Sequence, residues 1–510
     1  MRKEVEDHEK RNHWSIVPRR DMPKNAKTIL AIWSFKRKRL SDGSISKYKA
    51  RLCANGGMQR WGENYWETYA PVVSWISIRV LLILSLLFDL KTRSLDFVLA
   101  FPQAKLEVNI IMELPVGFDT ADGNSKQFVL KLNKNLYGLK QAAHNWFELL
   151  KSGLEARGFR PCDSDQCVFV RHDAIILTYV DDCIILSKEK STADEIIYSL
   201  EQGNENFDFT NGGDLERYLG MNLTRENGQI KITQSHLINQ ILDAVGFDAS
   251  VNPKSVPVVK LLLHRDTDGP DQKFNWNCRQ LVGMLIYLMN SSRPKLAMAV
   301  NQAARFSNDP KLSHERAIHR ICKYLLGTRD KGIIFKPDKT KGVECFVDAD
   351  FAGGWSKADA YSAENVMSRS GFIILFAGCP VYRRSKLQTE IALSTAESEY
   401  IALSSAMREV LPLMSLLQEL HAVFKIPWFK PKFHCAVFED NKSCIAMANA
   451  SKFTPRKKHI SLKYHHFRSF VKRREITIHS IDTNEQPTDI FTKPLEELKF
   501  CYLRRKISGW

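Results

Sequence analysis

The chain lacks any paired-cysteine motif, any long apolar run near its start and any internal repeat. Its eleven cysteines are scattered and no two form a C-x-x-C pair; Cys162 and Cys167 are the nearest, and no histidine pair follows them at zinc-finger spacing. A disulfide scaffold and a structural zinc site are both disfavoured, and free thiols in a reducing compartment are expected. The opening stretch MRKEVEDHEKRNHW is charged throughout, which reads against a secretory signal. The tract Val80 to Phe88 is apolar except for Ser85; it is too short to span a bilayer, so no membrane partner is expected. The absence of repeats and low-complexity tracts sets aside solenoids and fibrous folds.

What remains is globular in composition, at 44% hydrophobic and 26% charged residues. A chain of 510 residues is expected to form two to four domains, each burying a core. The formal net charge is +17, a magnitude that suits a polyanionic partner such as nucleic acid. Basic residues gather in FKRKRLSDGSISKYKARL (35–52), VYRRSKL (381–387) and PRKKHISLKYHHFRSFVKRR (455–474), with Phe35, Tyr48, Tyr382, Tyr464 and Phe467 interleaved. Cations meet backbone phosphates and aromatic faces stack on bases; the competing reading of each cluster is a solvated charged face. His459, His465 and His466 lie within the last cluster, where phosphate contact or solvation suits them better than metal ligation.

The stretch LTYVDDCII (177–185) sets two adjacent carboxylates, Asp181 and Asp182, between strand-forming runs. A two-residue break between such runs is a hairpin turn. Two readings compete: a solvated tip, since Asp is common in turns, and a cation site that keeps both carboxylates charged. Around it, residues 1–70 read as short strands and loops, 74–90 as a helix, and 93–101 as a strand with Asp96 at its middle. Helices are expected at about 141–156 and 191–202, the second after a Ser-Thr cap. Residues 246–275, with several Pro and Asp, read as a linker, and 278–327 as mainly helical. Phosphoryl transfer on nucleic acid commonly uses two cations about 3.5–4 Å apart held by acids on rigid elements. Asp96 and Asp181 suit that role; the alternative for Asp96 is a bond to a neighbouring Arg or amide.

The second half repeats the theme from Gly342 onward. Asp348 and Asp350 end one strand, Asp440 ends another, and Asp489 opens the last expected helix, where an acid suits the dipole. A long helix is expected from Thr395 to Phe424 and carries Glu397 and Glu399. Two residues along a helix lie about 200° apart, so the two acids cannot share a site. The apolar stripe Ala396, Tyr400, Leu403, Met407, Val410, Met414 places Glu399 at its edge, which makes Glu399 the better ligand candidate; a salt-bridging solvated face is the alternative.

The motif YVDD after an apolar strand resembles that of reverse transcriptases. KYKARL (47–52), YWETYAPVVSWISIRVLL (65–82), LDFVLAFPQAKLE (95–107), LNKNLYGLKQAAHNWF (132–147) and YLGMNL (218–223) resemble, in order, the Ty1/copia class of LTR retrotransposon polymerases. LVGMLIYLMNSSRPKLAMAVNQAARF (281–306), FVDADFAGGW (346–355), IALSTAESEYIALSSAMREV (391–410), EDNKSCIAMA (439–448) and NEQPTDIFTKPL (484–495) resemble the connecting segment and RNase H domain of the same polyprotein. The resemblance runs over nearly the whole chain from about residue 14. It implies a multidomain α+β and α/β fold: a right-hand polymerase with fingers and palm over 1–245, a thumb-like connection over 246–335, and an RNase H-like mixed-sheet domain over 336–510.

Carried over by motif, Asp96, Asp181 and Asp182 would be the polymerase metal carboxylates. Phe101 stands where an aromatic ring screens the incoming sugar's 2′ position. Lys49 and Arg51 would meet the triphosphate, and Tyr137 and Gln141 would lie near nucleotide and template. Asp348, Glu399, Asp440 and Asp489 match the nuclease acidic quartet. The implied activity is RNA- and DNA-directed DNA synthesis with RNase H cleavage, using Mg²⁺, two ions per site, with Mn²⁺ as a substitute. The implied partners are an RNA template, a DNA primer, an RNA–DNA hybrid, dNTPs and other polyprotein products such as integrase and capsid. The implied location is a cytoplasmic virus-like particle, with a nuclear stage. Lys295 departs from the family, which usually has an acid after Ser-Arg-Pro, and 354–367 is longer than the family's loop. No DTG or DSG in an apolar frame and no zinc knuckle is present, so the chain resembles the C-terminal portion of a polyprotein. The competing reading is an inactive transposon relic that holds nucleic acid through its basic surfaces.

Overall fold

The apolar runs beside Asp181 and Asp182 form the antiparallel hairpin Ala174–Tyr179/Asp182–Ser187. Tyr179 pairs with Asp182, so the turn is Val180-Asp181, one residue earlier than the sequence pattern indicates. Val180 has φ +56°, the left-handed backbone that short hairpin loops use and that a β-branched residue adopts only under constraint. The constraint is visible: the Trp146 indole donates to the Val180 carbonyl at 2.7 Å, and the Phe97 amide to the Asp181 carbonyl at 2.8 Å.

The structure is a computed structural model that describes every residue except 24–25, 40–44, 119–124, 204, 249, 259–261, 274–275, 356, 358–362, 426–432 and 451–461. Parts of the first and last basic stretches, His459 and part of the 354–367 loop therefore lie outside the described residues. The chain forms two compact units, Met1–Val73 with Lys91–Asp214, and Ser74–Leu90 with Leu215–Trp510.

In the first unit a six-stranded antiparallel sheet runs in the order Phe209–Gly213, Lys91–Phe97, Asp182–Ser187, Ala174–Tyr179, Val168–Val170, Arg160–Pro161. Ile175, Ile176, Leu177 and Ile185 are buried on both faces, which is why this stretch shows a continuous apolar run and not alternation. Each such side chain contributes about 1.5–3 kcal/mol by leaving water. The helix Ala142–Glu155 buries Trp146, Phe147, Leu150 and Leu154. A four-stranded sheet and the long hairpin Ala31–Arg39/Ile45–Ala54 complete the unit. Three expectations are corrected. The strand ends at Phe97, because Leu99 turns left-handed (φ +48°) and Phe101 enters the helical turn Ala100–Gln103. Lys190–Gln202 starts after Glu189 with no side-chain cap, so Ser191 and Thr192 lie inside its first turn. Arg2–Lys10 is a helix, not strand or loop; its highly charged sequence hides that His8 is buried and stacks on Trp14.

In the second unit a five-stranded sheet runs in the order Cys379–Leu387, Arg369–Phe376, Val343–Asp350, Cys435–Glu439, Ile476–Ser480. The first three strands pair antiparallel and the last two join in parallel. The helix Thr395–Phe424 packs on this sheet with Tyr400, Leu403, Met407, Val410 and Leu417 buried. Helices Ser235–Ala244, Cys278–Ser291, Ala297–Ala304 and Leu312–Leu326 share a core of Ile238, Leu285, Val300 and Ile318 among others. The helix Trp75–Leu87, capped by Ser74, is apolar nearly all round and almost entirely buried here. Asp489 opens only the single turn Asp489–Thr492; the last helix is Glu497–Ser508. All eleven cysteines are free.

Gly138 separates Tyr137 from the helix that carries Trp146. The Tyr137 carbonyl accepts from the Ala54 amide at 2.7 Å. A β-carbon at Gly138 (φ +91°) would overlap the Ala54 carbonyl oxygen, whereas Gly62 (φ +79°) has open space around it. Gly62→Ala is therefore expected to cost about 1 kcal/mol of stability through backbone strain alone, and Gly138→Ala roughly 3 kcal/mol or more. Urea unfolding of the two variants checks this; equal losses would show that the close approach is unimportant.

Candidate functional site

In the first unit, antiparallel pairing sets Asp182 directly across from Asp96. Residues so paired project on one face with Cβ atoms about 4.5–5.5 Å apart, and Asp181 follows from the turn. Asp96 is exposed, while Asp181 and Asp182 are half-buried. Burial, then the charges of Asp181 and Asp96, push the Asp182 carboxyl up to about 6. A cavity of about 570 Å³ opens beside them; Asp96, Asp181, Tyr137, Lys49 and Arg51 line it. The Arg51 guanidinium lies 4.0 Å over the Tyr137 ring, and Phe101 packs 5.1 Å from the same ring. Burial pushes the Tyr137 phenol up to about 12, with Arg51 opposing and Asp181 and Asp96 adding to the shift.

The hairpin Ala31–Arg39/Ile45–Ala54 brings cations to the same cavity. Lys36 pairs across it with Lys49, and both line the wall. Like charges directly opposite destabilise a ladder; in the sequence these two lysines are part of a broad basic cluster with nothing to mark them as a pair. Gln141 is placed differently from its expected partners. It does not line the cavity; its buried amide accepts from Gln59 at 3.0 Å and donates to the Asn64 carbonyl at 3.1 Å.

In the second unit, Asp348, Glu399 and Asp440 each offer an oxygen, and these oxygens lie within 4.8 Å of one another. Asp348 comes from one strand, Asp440 follows the parallel strand beside it, and Glu399 from the first turns of the long helix. Asp348 and Glu399 are buried. Burial drives the Glu399 carboxyl far above the carboxylate range, with the charges of Glu439, Asp348 and Asp440 adding; burial raises Asp348 as well. Glu399 Oε2 and Glu439 Oε2 are buried with no partner. The three converging oxygens form a hard, all-oxygen donor set that fits a divalent cation such as Mg²⁺ or Mn²⁺.

Asp489 is buried and held by Lys493 at 2.9 Å and Lys499 at 2.6 Å. Lys493 also reaches Asp348 at 3.2 Å and so ties Asp489 to the triad. Thr492 donates a short bond to Asp348. Glu397, on the other face of its helix, accepts from the Leu393 amide at 2.8 Å while Ser394 accepts from the Glu397 amide; it caps the helix. Glu439 and Lys493 went unnoticed in the sequence. A signal for Glu439 existed: it continues the inward-facing series Cys435, Val437, Glu439, an acid on an apolar face. Lys493 carried no such signal. His465 bonds the Tyr400 hydroxyl at 2.8 Å and His466 approaches Ser404 at 3.5 Å, so both pack on the long helix. Lys295 is buried with its ammonium 3.2 Å from the Trp510 ring centre.

Residues 11–260 match the family model described as "Reverse transcriptase (RNA-dependent DNA polymerase)". The chain is 33% identical over 515 residues to the Retrovirus-related Pol polyprotein from transposon TNT 1-94 of Nicotiana tabacum, which covers 98% of this chain and 37% of that protein. It is 31% identical over 505 residues to the corresponding polyprotein from transposon RE2 of Arabidopsis thaliana, over 98% of this chain and 33% of that one. The chain thus spans about a third of the length of these Pol polyproteins. A distant likeness to the structure of a foamy viral protease-reverse transcriptase in complex with double-stranded DNA has 10% identity and a TM-score of 0.48, over 94% of this chain and 68% of that one. With a reverse-transcriptase match over its first half and transposon Pol proteins aligned along 98% of its length, the chain belongs to the Ty1/copia-type retrotransposon Pol family and carries its reverse transcriptase domain.

Proposed function

We propose that the chain is an RNA- and DNA-directed DNA polymerase with an RNase H, each activity resting on its own carboxylate centre. The observation that carries this reading is the placement of acids at the ends of rigid strands in both units: Asp182 across from Asp96 in one, and Asp348, Glu399 and Asp440 within 4.8 Å in the other. The segments would act as fingers and palm (1–245), thumb-like connection (246–335) and RNase H-like domain (336–510).

In the polymerase, Asp96, Asp181 and Asp182 would hold the cations. Lys49 and Arg51 would receive the dNTP triphosphate; the cavity they line and the Lys36–Lys49 pairing support this. Tyr137, fixed by Arg51 and Phe101, would floor the nucleotide site, with Phe101 screening the sugar's 2′ position. Gln141 would act indirectly, by fixing the segment through Gln59 and Asn64. In the nuclease, Asp348, Glu399, Asp440 and Asp489 would hold the cations, and Glu439 would add negative charge beneath them. Lys493 would balance the charge on Asp348 and Asp489. Recognition of a hybrid there would rest on the 2′-hydroxyl and helix shape. When bound, two Mg²⁺ or Mn²⁺ ions per site polarise an attacking oxygen and offset charge on a leaving one. The template, primer, hybrid, integrase and capsid partners, and a cytoplasmic particle with a nuclear stage, belong to the same proposal.

Primer extension on an RNA template and cleavage of a labelled hybrid, run side by side, test the two centres. Asp181→Asn is expected to lower extension at least ~100-fold and leave cleavage near wild type. Asp440→Asn is expected to do the reverse. Loss of both activities in either variant would sink the two-centre reading. Wild-type protein that binds template but yields no product with either metal would leave a nucleic-acid-holding relic.

A pH dependence follows from Asp182. Its carboxyl is raised from 3.8 to about 6, so the protonated form favours folding and ionisation costs stability as pH rises through that window. A cation that binds the ionised form gains affinity over the same window and releases a proton. Calorimetric Mn²⁺ binding should tighten from pH 5 to pH 7 in wild type, and by a smaller factor in Asp182→Asn. The same pH response in both proteins would contradict this assignment.

A further inference from the structure

Apart from both carboxylate centres, the second unit holds a cavity of about 440 Å³ whose lining includes five arginines and Lys386, a volume typical of small-ligand sites. Arg79, Arg369 and Arg383 are 6%, 3% and 9% exposed. Arg305 is half-buried, and Lys386 is exposed at the mouth. Among the described residues no carboxylate lines the cavity. Glu409 lies 3.5 Å from Arg384 in the wall, and Asp350 faces Arg369 across the strand pairing.

The buried guanidiniums are bonded in part, and the oxygens that meet them are neutral. Arg79 donates to the carbonyls of Val381 at 2.9 Å and Ser291 at 3.0 Å; Arg383 donates to Asn290 Oδ1 at 2.9 Å; Arg369 donates to Ser385 Oγ at 3.2 Å. Carbonyl and hydroxyl dipoles fill hydrogen-bond sites but do not cancel full charges in a poorly solvated interior. Arg369 Nη2 and Arg383 Nε are buried with no partner. Burial and the adjacent Arg383 press Arg79 down to about 9, and burial presses Arg383 and Arg369 to about 10. Two half-buried rings, Trp75 and Tyr382, border the same space.

We propose that this cavity is a nucleic-acid contact that seats a backbone phosphate of a bound strand, with Arg369 and Arg383 donating to its oxygens, Arg305 and Lys386 at the entrance, and Trp75 or Tyr382 against the adjoining sugar or base. The guanidinium fork matches phosphate oxygens in geometry as well as charge, and aromatic faces accept any base. Placement adds to the argument: Arg369 lies on the strand that pairs with the one carrying Asp348, with Arg369 across from Asp350 and Gly371 across from Asp348, while Tyr382 to Leu387 of the wall come from the next strand out. The inference rests on the nuclease reading in assigning the occupant to a strand and not to a free anion.

Fluorescence anisotropy with a 20-base-pair RNA–DNA hybrid in EDTA tests it. The proteins are wild type, Lys386→Glu, Arg305→Ala/Lys386→Ala, and Lys341→Ala as a surface control; near-ultraviolet circular dichroism monitors folding. The Arg305/Lys386 double variant is expected to bind about tenfold more weakly, and its log–log salt slope to flatten by about one to two. Lys386→Glu is expected to weaken binding in the same direction, while Lys341→Ala matches wild type. Wild-type affinity and slope in the double variant, or no hybrid binding by wild type, would overturn the proposal. So would pyrophosphate that stabilises wild type but not the double variant against heat while hybrid binding is unchanged, which makes the cavity a site for free polyphosphate. Weakened binding in a protein that shows no hybrid cleavage under any metal would leave the phosphate contact standing and remove the nuclease reading.

Discussion

Carboxylates repel one another, and both units of this chain hold them close at the ends of strands. The repulsion is opposed by the backbone. In the first unit the ladder from Lys91 to Phe97 fixes Asp96 against Asp182, and Trp146 and Phe97 lock the turn that presents Asp181. In the second, two strands running in parallel bring Asp348 and Asp440 out at neighbouring ends, and the long helix delivers Glu399 against them. The cost appears as carboxyls displaced upward, Asp182 modestly and Glu399 severely. Such displacement beside converging oxygens is what a bound cation would relieve.

The surrounding cations follow the same logic with the sign reversed. Lys36 faces Lys49 across a ladder, and three arginines share a buried wall in the second unit. Neither arrangement favours folding. Under the proposed function an anion seated beside either group would offset that repulsion, which would tie part of the chain's excess of positive charge to particular places.

Much of this was legible in the sequence because the strands are short and their apolar runs end at the acids. The YVDD hairpin, the Thr395–Phe424 helix and the choice of Glu399 over Glu397 follow from periodicity and helical angle alone. The misses have physical causes. Leu99 adopts a left-handed backbone that no pattern of apolar residues signals, so Phe101 was read as strand. The helix Arg2–Lys10 is nearly all charged, and His8, its single buried residue, gives no periodic stripe. Gln141 and Lys493 depend on partners 77 to 145 residues away, a separation that local pattern cannot span.

Lys493 has a consequence for the order in which the acidic pocket of the second unit comes into being. Its ammonium, reaching both Asp348 and Asp489, acts as a tethered counter-ion delivered by the chain itself. Without it, burial of Asp348 and Asp489 would rest on protonation or on a cation from solution. With a resident positive charge, the polypeptide can close over Asp348 and Asp489 without waiting for any ion from solution, so the pocket is a product of the fold itself.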